Sequence, residues 1–301
     1  MRYELLLSAL LTGTLAVQAQ TTPEDEYADA ALRSPVVAVE FTGQRCRYCP
    51  DMARALKANQ ERYGKENYII TALHHLSDFS SLPGKHVSLF HPEAEKYAAS
   101  IDIHSGLPQL AYNTLGPTVS DLYLDQMFQE PDLLECTGTV SYTQDKHYVI
   151  DLQTRLRRDR QEFVEGKQID ILFWALENDI VAFQDDNGKN TYPAHQHIFR
   201  GSINGTWGEP YEIGTHYSKT WKIPQEVLED ANTEVVVFFL DHDTRTILDA
   251  GQFKAIPGSP TGIDTPQVES EESTLYDLSG KPVTHPVKGQ VYIQNRRKIV
   301  Y

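Results

Sequence analysis

The residues best suited to chemistry are two cysteines set three apart, Cys46-Arg47-Tyr48-Cys49, in a chain that holds three cysteines in all. Thiols at this spacing can close on each other as a local disulfide, or attack and release a partner's sulfur in turn. An apolar, β-branched run, Val36-Val37-Ala38-Val39-Glu40-Phe41, ends just before them, and Pro50 follows at once. That order puts Cys46 and Cys49 at the start of a helix. There the unpaired N–H groups and the positive end of the helix dipole stabilise a thiolate and lower its pKa. Cys46 is then the attacking sulfur, and Cys49, one turn further on, resolves the mixed disulfide. Arg45 and Arg47 flank Cys46 and favour the thiolate too, which raises the reduction potential and leans toward an oxidant or isomerase. Spacing alone leaves three uses open: active thiol exchange, an inert local staple, or metal binding. Metal is the weakest of these, because two thiolates need two further ligands and no second C-x-x-C is present. The third thiol, Cys136, is expected to be free and buried, with pairing to another chain as the alternative.

The elements that must hold this pair follow from the flanking pattern. Val36 to Phe41 reads as a buried parallel strand. A helix opens at Pro50, carries Met52, Leu56, Asn59 and Tyr63 on one face, and stops at Gly64. Tyr68 to Leu73 is the next strand, Pro92 to about Ser100 a second helix with Glu93 and Glu95 in its first turn, and Leu110 to Tyr112 a third strand. Strand and helix alternating in this way predict an α/β domain with parallel pairing at its start. After about Glu135 the pattern turns to seven alternating segments: Thr139 to Tyr142, His147 to Leu152, Ile169 to Leu176, His197 to Ile203, His216 to Ile223, Glu234 to Leu240 and Ile247 to Phe253. With turn signals at Asp186-Asn187-Gly188 and Asn204-Gly205, they predict an all-β, sandwich-like domain. Leu156 to Glu165 reads equally as helix or strand edge. The expected boundaries are residues 20–134 for the α/β domain, 135–256 for the β-rich domain and 257–301 for a linker and short tail.

Other polar residues offer weaker sites. His74-His75 ends the second strand, where an α/β sheet presents residues to a crevice, so one of them can reach the cysteines; the alternative is an imidazole capped by backbone. His195-Gln196-His197 sets two imidazoles on one face of a strand, half a metal site with no third ligand to assign, so no metal is expected. Trp174, Trp207 and Trp221 read as sandwich core or rim, or as exposed rings for a glycan or peptide. No cofactor is expected.

Composition narrows the partners. Twenty-seven Lys plus Arg against 42 Asp plus Glu give 27 − 42 = −15, a field that repels nucleic acid and anionic membranes. Residues 1–19 read as a secretory signal peptide: Arg2, an apolar run from Leu5 to Val17, and a cleavage point after Ala19 in Val17-Gln18-Ala19. The run is too short to span a membrane, and no second run reaches that length. Export makes a disulfide between Cys46 and Cys49 permissible.

Residues 30 to 134 resemble the thioredoxin superfamily in the strand, the C-x-x-C and the helix that follows it. In that family a buried acid six residues before the first cysteine relays protons, and Glu40 holds that spacing. A proline, usually cis, faces the disulfide from the start of a later strand, and Pro108 in Ser105-Gly106-Leu107-Pro108-Gln109 matches it. Two features depart from the common pattern: Arg45 stands where a Trp is usual, and Arg47-Tyr48 replaces Gly-Pro. The resemblance implies Glu40 and Pro108 as site residues beside Cys46 and Cys49.

Over residues 30 to 255, Phe41-Thr42-Gly43-Gln44-Arg45-Cys46-Arg47-Tyr48-Cys49-Pro50, Phe173-Trp174-Ala175-Leu176-Glu177-Asn178-Asp179-Ile180-Val181-Ala182, His195-Gln196-His197-Ile198-Phe199-Arg200 and Asn204-Gly205-Thr206-Trp207-Gly208 together resemble the Omp-twenty-eight-like outer membrane protein family. That family joins a thioredoxin-like domain to a β-rich one and implies a cell-envelope or surface location, with an adhesin or receptor role suggested. The end of the chain, Leu275 to Lys281 and Gly289 to Val300, is similar to type IX secretion sorting tails; a loose hairpin is the alternative. The expectation is an exported envelope protein that exchanges thiols with envelope or surface clients. The rival is an outer-membrane binding protein, for a host or surface ligand, in which the disulfide is only structural.

Overall fold

The computed structural model describes residues 34–80, 87–103, 106–117, 124–128, 132–157 and 160–258, with residue 288 and four short strands between 275 and 300. The signal-peptide and cleavage expectations lie outside the described residues. Residues 259–301 form a compact unit of their own, in which β16 (Leu275–Tyr276), β17 (Pro282–Val283), β18 (Val291–Gln294) and β19 (Arg297–Val300) make an antiparallel sheet.

The main unit is built on one large mixed sheet. Strand β1 (Val36–Thr42) runs parallel to β2 (Tyr68–His74), with Val36 opposite Tyr68 and Thr42 opposite His74, and every residue of both is buried. Their alternate faces go to different cores. Val37, Val39, Phe41, Ile69 and Leu73 pack toward Ala94, Tyr97 and Ala98 of α3 (Ala94–Ser100), while Val36, Ala38, Tyr68 and Ile70 pack on Leu56 of α1 (Cys49–Tyr63). Such two-sided covering is what the continuous apolar runs predict. Helix α1 ends as expected, at Gly64 with φ 92°, and a four-residue turn of helix, α2, covers Ser77–Ser80. Strand β3 (Gln109–Tyr112) lies antiparallel on the outer edge of β1, Gln109 opposite Phe41.

The later segments form strands near the expected places: β4 (Leu134–Tyr142), β5 (His147–Leu156), β6 (Ile169–Glu177), β11 (Ile198–Ser202), β13 (His216–Lys222), β14 (Thr233–Asp241) and β15 (Ile247–Pro257). They do not stand apart from the first three strands. The order β13-β5-β4-β15-β14-β6-β11-β2-β1-β3 is continuous, and β11 closes the join by pairing parallel with β2 at Ile198 and Ala72 and antiparallel with β6. The amide of Ala72 donates to the carbonyl of His197 at 2.8 Å, which ties the same join. Where alternation was expected in β6 and β14, both faces are buried. Leu172, Trp174, Val236 and Phe238 enter the core shared with β1 and β2; Ile171, Phe173, Val235 and Val237 enter a second core with Val140, Ile150 and Tyr217 of β4, β5 and β13. Strand β15 spans both parts, antiparallel to β14 along most of its length and parallel to β4 at Ala255 to Pro257. A mostly β fold with few helices results. Of the tryptophans, Trp174 is wholly buried and donates its indole N–H to the Tyr97 hydroxyl at 3.0 Å, while Trp207 and Trp221 pack half-buried at the rims of the two cores. Leu156 to Glu165 resolves into the end of β5 and one helical turn, Gln161–Val164. Among the described residues no helix is long and apolar enough to cross a membrane.

Candidate functional site

Cys46 and Cys49 are joined as a disulfide at the first turn of α1, with Cα atoms 5.4 Å apart. The turn that carries them starts where β1 ends, and the Cys46 amide donates to the Gly43 carbonyl at 3.1 Å. Gly43 has no room for a side chain: a Cβ there would meet Phe79 Cβ at 2.9 Å and Leu107 Cδ1 at 3.1 Å. Register places Leu107-Pro108 next to this turn, because Gln109 pairs with Phe41, and the Leu107-Pro108 peptide is cis. Pro108 thus stands just before β3 on the edge of the sheet, with Leu107 beside Gly43.

Both sulfur residues are covered, Cys46 at 4% exposure and Cys49 at 2%, whereas Arg45, Arg47 and Tyr48 stand exposed. The cover comes from two directions. On one side Arg45 donates its amide to the Phe79 carbonyl at 2.8 Å. On the other lies a small hairpin, β8 (Gln184–Asp186) and β9 (Lys189–Thr191), turned at Asn187-Gly188 with φ 54° and 84°. Asn and Gly accept that left-handed pair of conformations at little cost. Gln44, wholly buried, links the two: its side-chain amide donates to the carbonyls of Val87 and Phe183, at 3.0 and 3.1 Å, and its oxygen accepts from the Leu89 amide at 2.9 Å.

Beneath the disulfide is a cleft of about 890 Å³. Its walls include Cys49 and Leu56 of α1, Glu40 and His74 of β1 and β2, and His195 of the two-residue strand β10 (Ala194–His195). Glu40 is 3% exposed, and one carboxyl oxygen has no hydrogen-bond partner among the described residues. Burial disfavours its charge more than a hydrogen bond with Thr42 favours it, so its pKa rises from 4.5 to about 7. A carboxyl at about 7 can both give and take a proton at neutral pH. His74 and His195 meet edge to face with ring centres 5.9 Å apart. Burial holds both imidazoles below their usual pKa, His74 strongly so and further through its neighbour His195. Nδ1 of His74 and Nε2 of His195 are buried without hydrogen-bond partners among the described residues.

Of the two adjacent histidines, His74 is therefore the one that reaches the cleft under Cys49. His75 points to the other face of β2 and packs edge-on against Phe41 at 5.3 Å. His195 and His197 do not share a strand face, because β10 stops at His195 and His197 takes φ 57°. Among the described residues no group of three or more His, Cys, Asp or Glu is gathered that could hold a metal. Cys136 is a free thiol, half-buried on β4, and burial lifts its pKa to about 12, which leaves it a poor nucleophile for pairing with another chain. Sequence reasoning missed His195 as a neighbour of His74 and missed the hairpin altogether; its one legible sign was the Asn187-Gly188 turn.

No protein-family model matches the chain, and no curated protein does. Among solved structures, HBP35 of Porphyromonas gingivalis is similar in fold, with a TM-score of 0.57 at 17% identity, over 90% of this chain and 98% of that one. A domain of the outer membrane lipoprotein Omp28 from Porphyromonas gingivalis is also a neighbour, at 19% identity and a TM-score of 0.32, over 42% of this chain and 92% of that one. The protein thus shares its fold with HBP35 along nearly the whole length of both chains.

Proposed function

We propose that the protein is an exported cell-envelope thiol-disulfide exchange protein acting on envelope or surface proteins. The observation that carries this reading is the Cys46–Cys49 disulfide at the start of α1, above a cleft it shares with a buried carboxyl poised at about pH 7. In the oxidising direction a client thiolate attacks Cys46, the Cys46–Cys49 bond breaks, and Cys49 leaves as a thiolate that takes the Glu40 proton. A second client thiolate then attacks the client sulfur of the mixed disulfide, releasing Cys46; the client gains a disulfide and the protein becomes a dithiol. Reduction of a client runs the same steps backward. Pro108 holds the client backbone beside the site. The envelope location rests on the signal-like residues 1–19, the sorting-like tail and the Omp-twenty-eight-like motifs.

A second reading has its own support: both cysteines are covered, as a purely structural disulfide would be. In that reading the protein is a surface binding module. Cys46→Ser separates the two. With exchange, oxidation of a reduced peptide dithiol by the disulfide form falls to the uncatalysed rate while circular dichroism stays native. With a staple, the native protein is no faster than the variant.

A further inference from the structure

The hairpin of β8 and β9 touches the C-x-x-C turn through a set of contacts that belong to one another. The amides of Asp185 and Asn187 donate to the carbonyls of Gln44 and Arg47 at 2.8 and 3.0 Å. The Gln184 side-chain amide donates to the carbonyls of Cys46 at 3.1 Å and Gly43 at 3.3 Å, with Gln184 only 5% exposed. Asp186 closes the contact with a two-pronged ion pair to Arg54 of α1, both distances 3.2 Å. Asp185 belongs to β8 and Asn187, at φ 54°, to the turn that follows it, so two amides from the start of the hairpin meet carbonyls on either side of Cys46. The turn around the disulfide therefore presents carbonyls that accept backbone amides, and an internal segment supplies them.

We infer that the hairpin occupies the client's seat: the clients are peptide segments with unpaired backbone amides, which replace those of the hairpin on the carbonyls of Gln44 and Arg47. This rests on the exchange reading. The hairpin is bonded across the loop that carries the covered Cys46, and lifting it strands the buried Gln44 carbonyl unless another chain supplies a donor. A folded, strand-paired client has no free amides to offer, whereas an unfolded one does. The same contact both closes the site at rest and selects what opens it.

The test uses the full chain with Gln184→Ala and, as a surface change that spares the buried contacts, Arg54→Ala. Two rates are measured at one pH: reduction of Cys46–Cys49 by dithiothreitol, and by a flexible peptide dithiol with backbone amides flanking its cysteines. Gln184→Ala is expected to speed dithiothreitol by roughly three- to tenfold, the effect of one net hydrogen bond, and Arg54→Ala by roughly two- to fivefold, the effect of an exposed ion pair. A synthetic peptide of residues 183–191 should slow the peptide dithiol, and slow it more in the variants. Unchanged rates in folded Arg54→Ala overturn the inference, as does a 183–191 peptide that inhibits neither reductant. Faster reduction in the variants combined with no turnover of any client would sink the exchange reading and leave the hairpin's covering role standing.

Discussion

Glu40→Gln is expected to gain stability over the native protein as pH rises from about 4.5 to about 7, and to remove the pH 7 step from the exchange rate. The carboxyl is buried and its pKa is raised by desolvation from 4.5 to about 7. A raised pKa means that the unfolded chain gives up the proton more readily than the folded one. Stability from this group is therefore fully present below about pH 4.5 and is lost as pH rises to about 7, with no further loss above it. At about 1.4 kcal/mol per pKa unit, the full span is about 3 kcal/mol. Glutamine keeps the shape and cannot ionise. Urea denaturation of both proteins at pH 4 and pH 9 checks this: the variant-minus-native difference should grow by about 3 kcal/mol between them. Because only the difference is read, other buried acids such as Asp249 cancel. A difference independent of pH would mean that Glu40 is not held protonated by its burial.

Arg200→Met, outside the cysteine site, should be strongly destabilising. A β-bulge between Phe199 and Gly201 leaves Arg200 as the extra residue of β11 and turns its side chain inward. Its Nε lies 3.1 Å from a Glu177 oxygen, with the side chains 4% and 1% exposed. That contact is a meeting of charges more than an aligned hydrogen bond, since the Nε–H has no well-angled acceptor. Its other end donates to the Glu226 carbonyl, and Glu177 also accepts the amides of Leu228 and Glu229 at 2.7 to 3.1 Å. Burial pulls the guanidinium pKa down, and the Glu177 charge opposes that pull. Removing the arginine leaves an unpaired buried carboxylate, at a cost of about 3–5 kcal/mol in urea denaturation. Arg200→Met with Glu177→Gln should recover most of that loss, because neither charge is then stranded. A double variant as unstable as the single one would show that volume, not charge, holds this corner.

Much of the first part of the fold was legible in residue order. The buried runs of β1 and β2, Pro50 at the helix start and Gly64 at its stop each carry a local physical reason, and Glu40 and Pro108 stood at positions set by resemblance. The join of the later strands to this sheet was harder to read. Leu172-Phe173-Trp174-Ala175-Leu176 is apolar at successive positions, the mark of a strand covered on both faces, but the turn signals among the later segments made it look like one strand of a sandwich. The hairpin over the disulfide lies in a polar stretch whose strands are two or three residues long. Its hold depends on Gln184, a polar residue buried because distant backbone carbonyls satisfy it, and such a partner is set by tertiary contact rather than by local pattern.

The reduction potential of Cys46–Cys49, titrated against a glutathione or dithiothreitol series, tests the central claim most directly. Exchange requires a disulfide that client and protein can trade, and the account predicts a value between roughly −120 and −270 mV. A value below about −300 mV would mark a structural bond and contradict it.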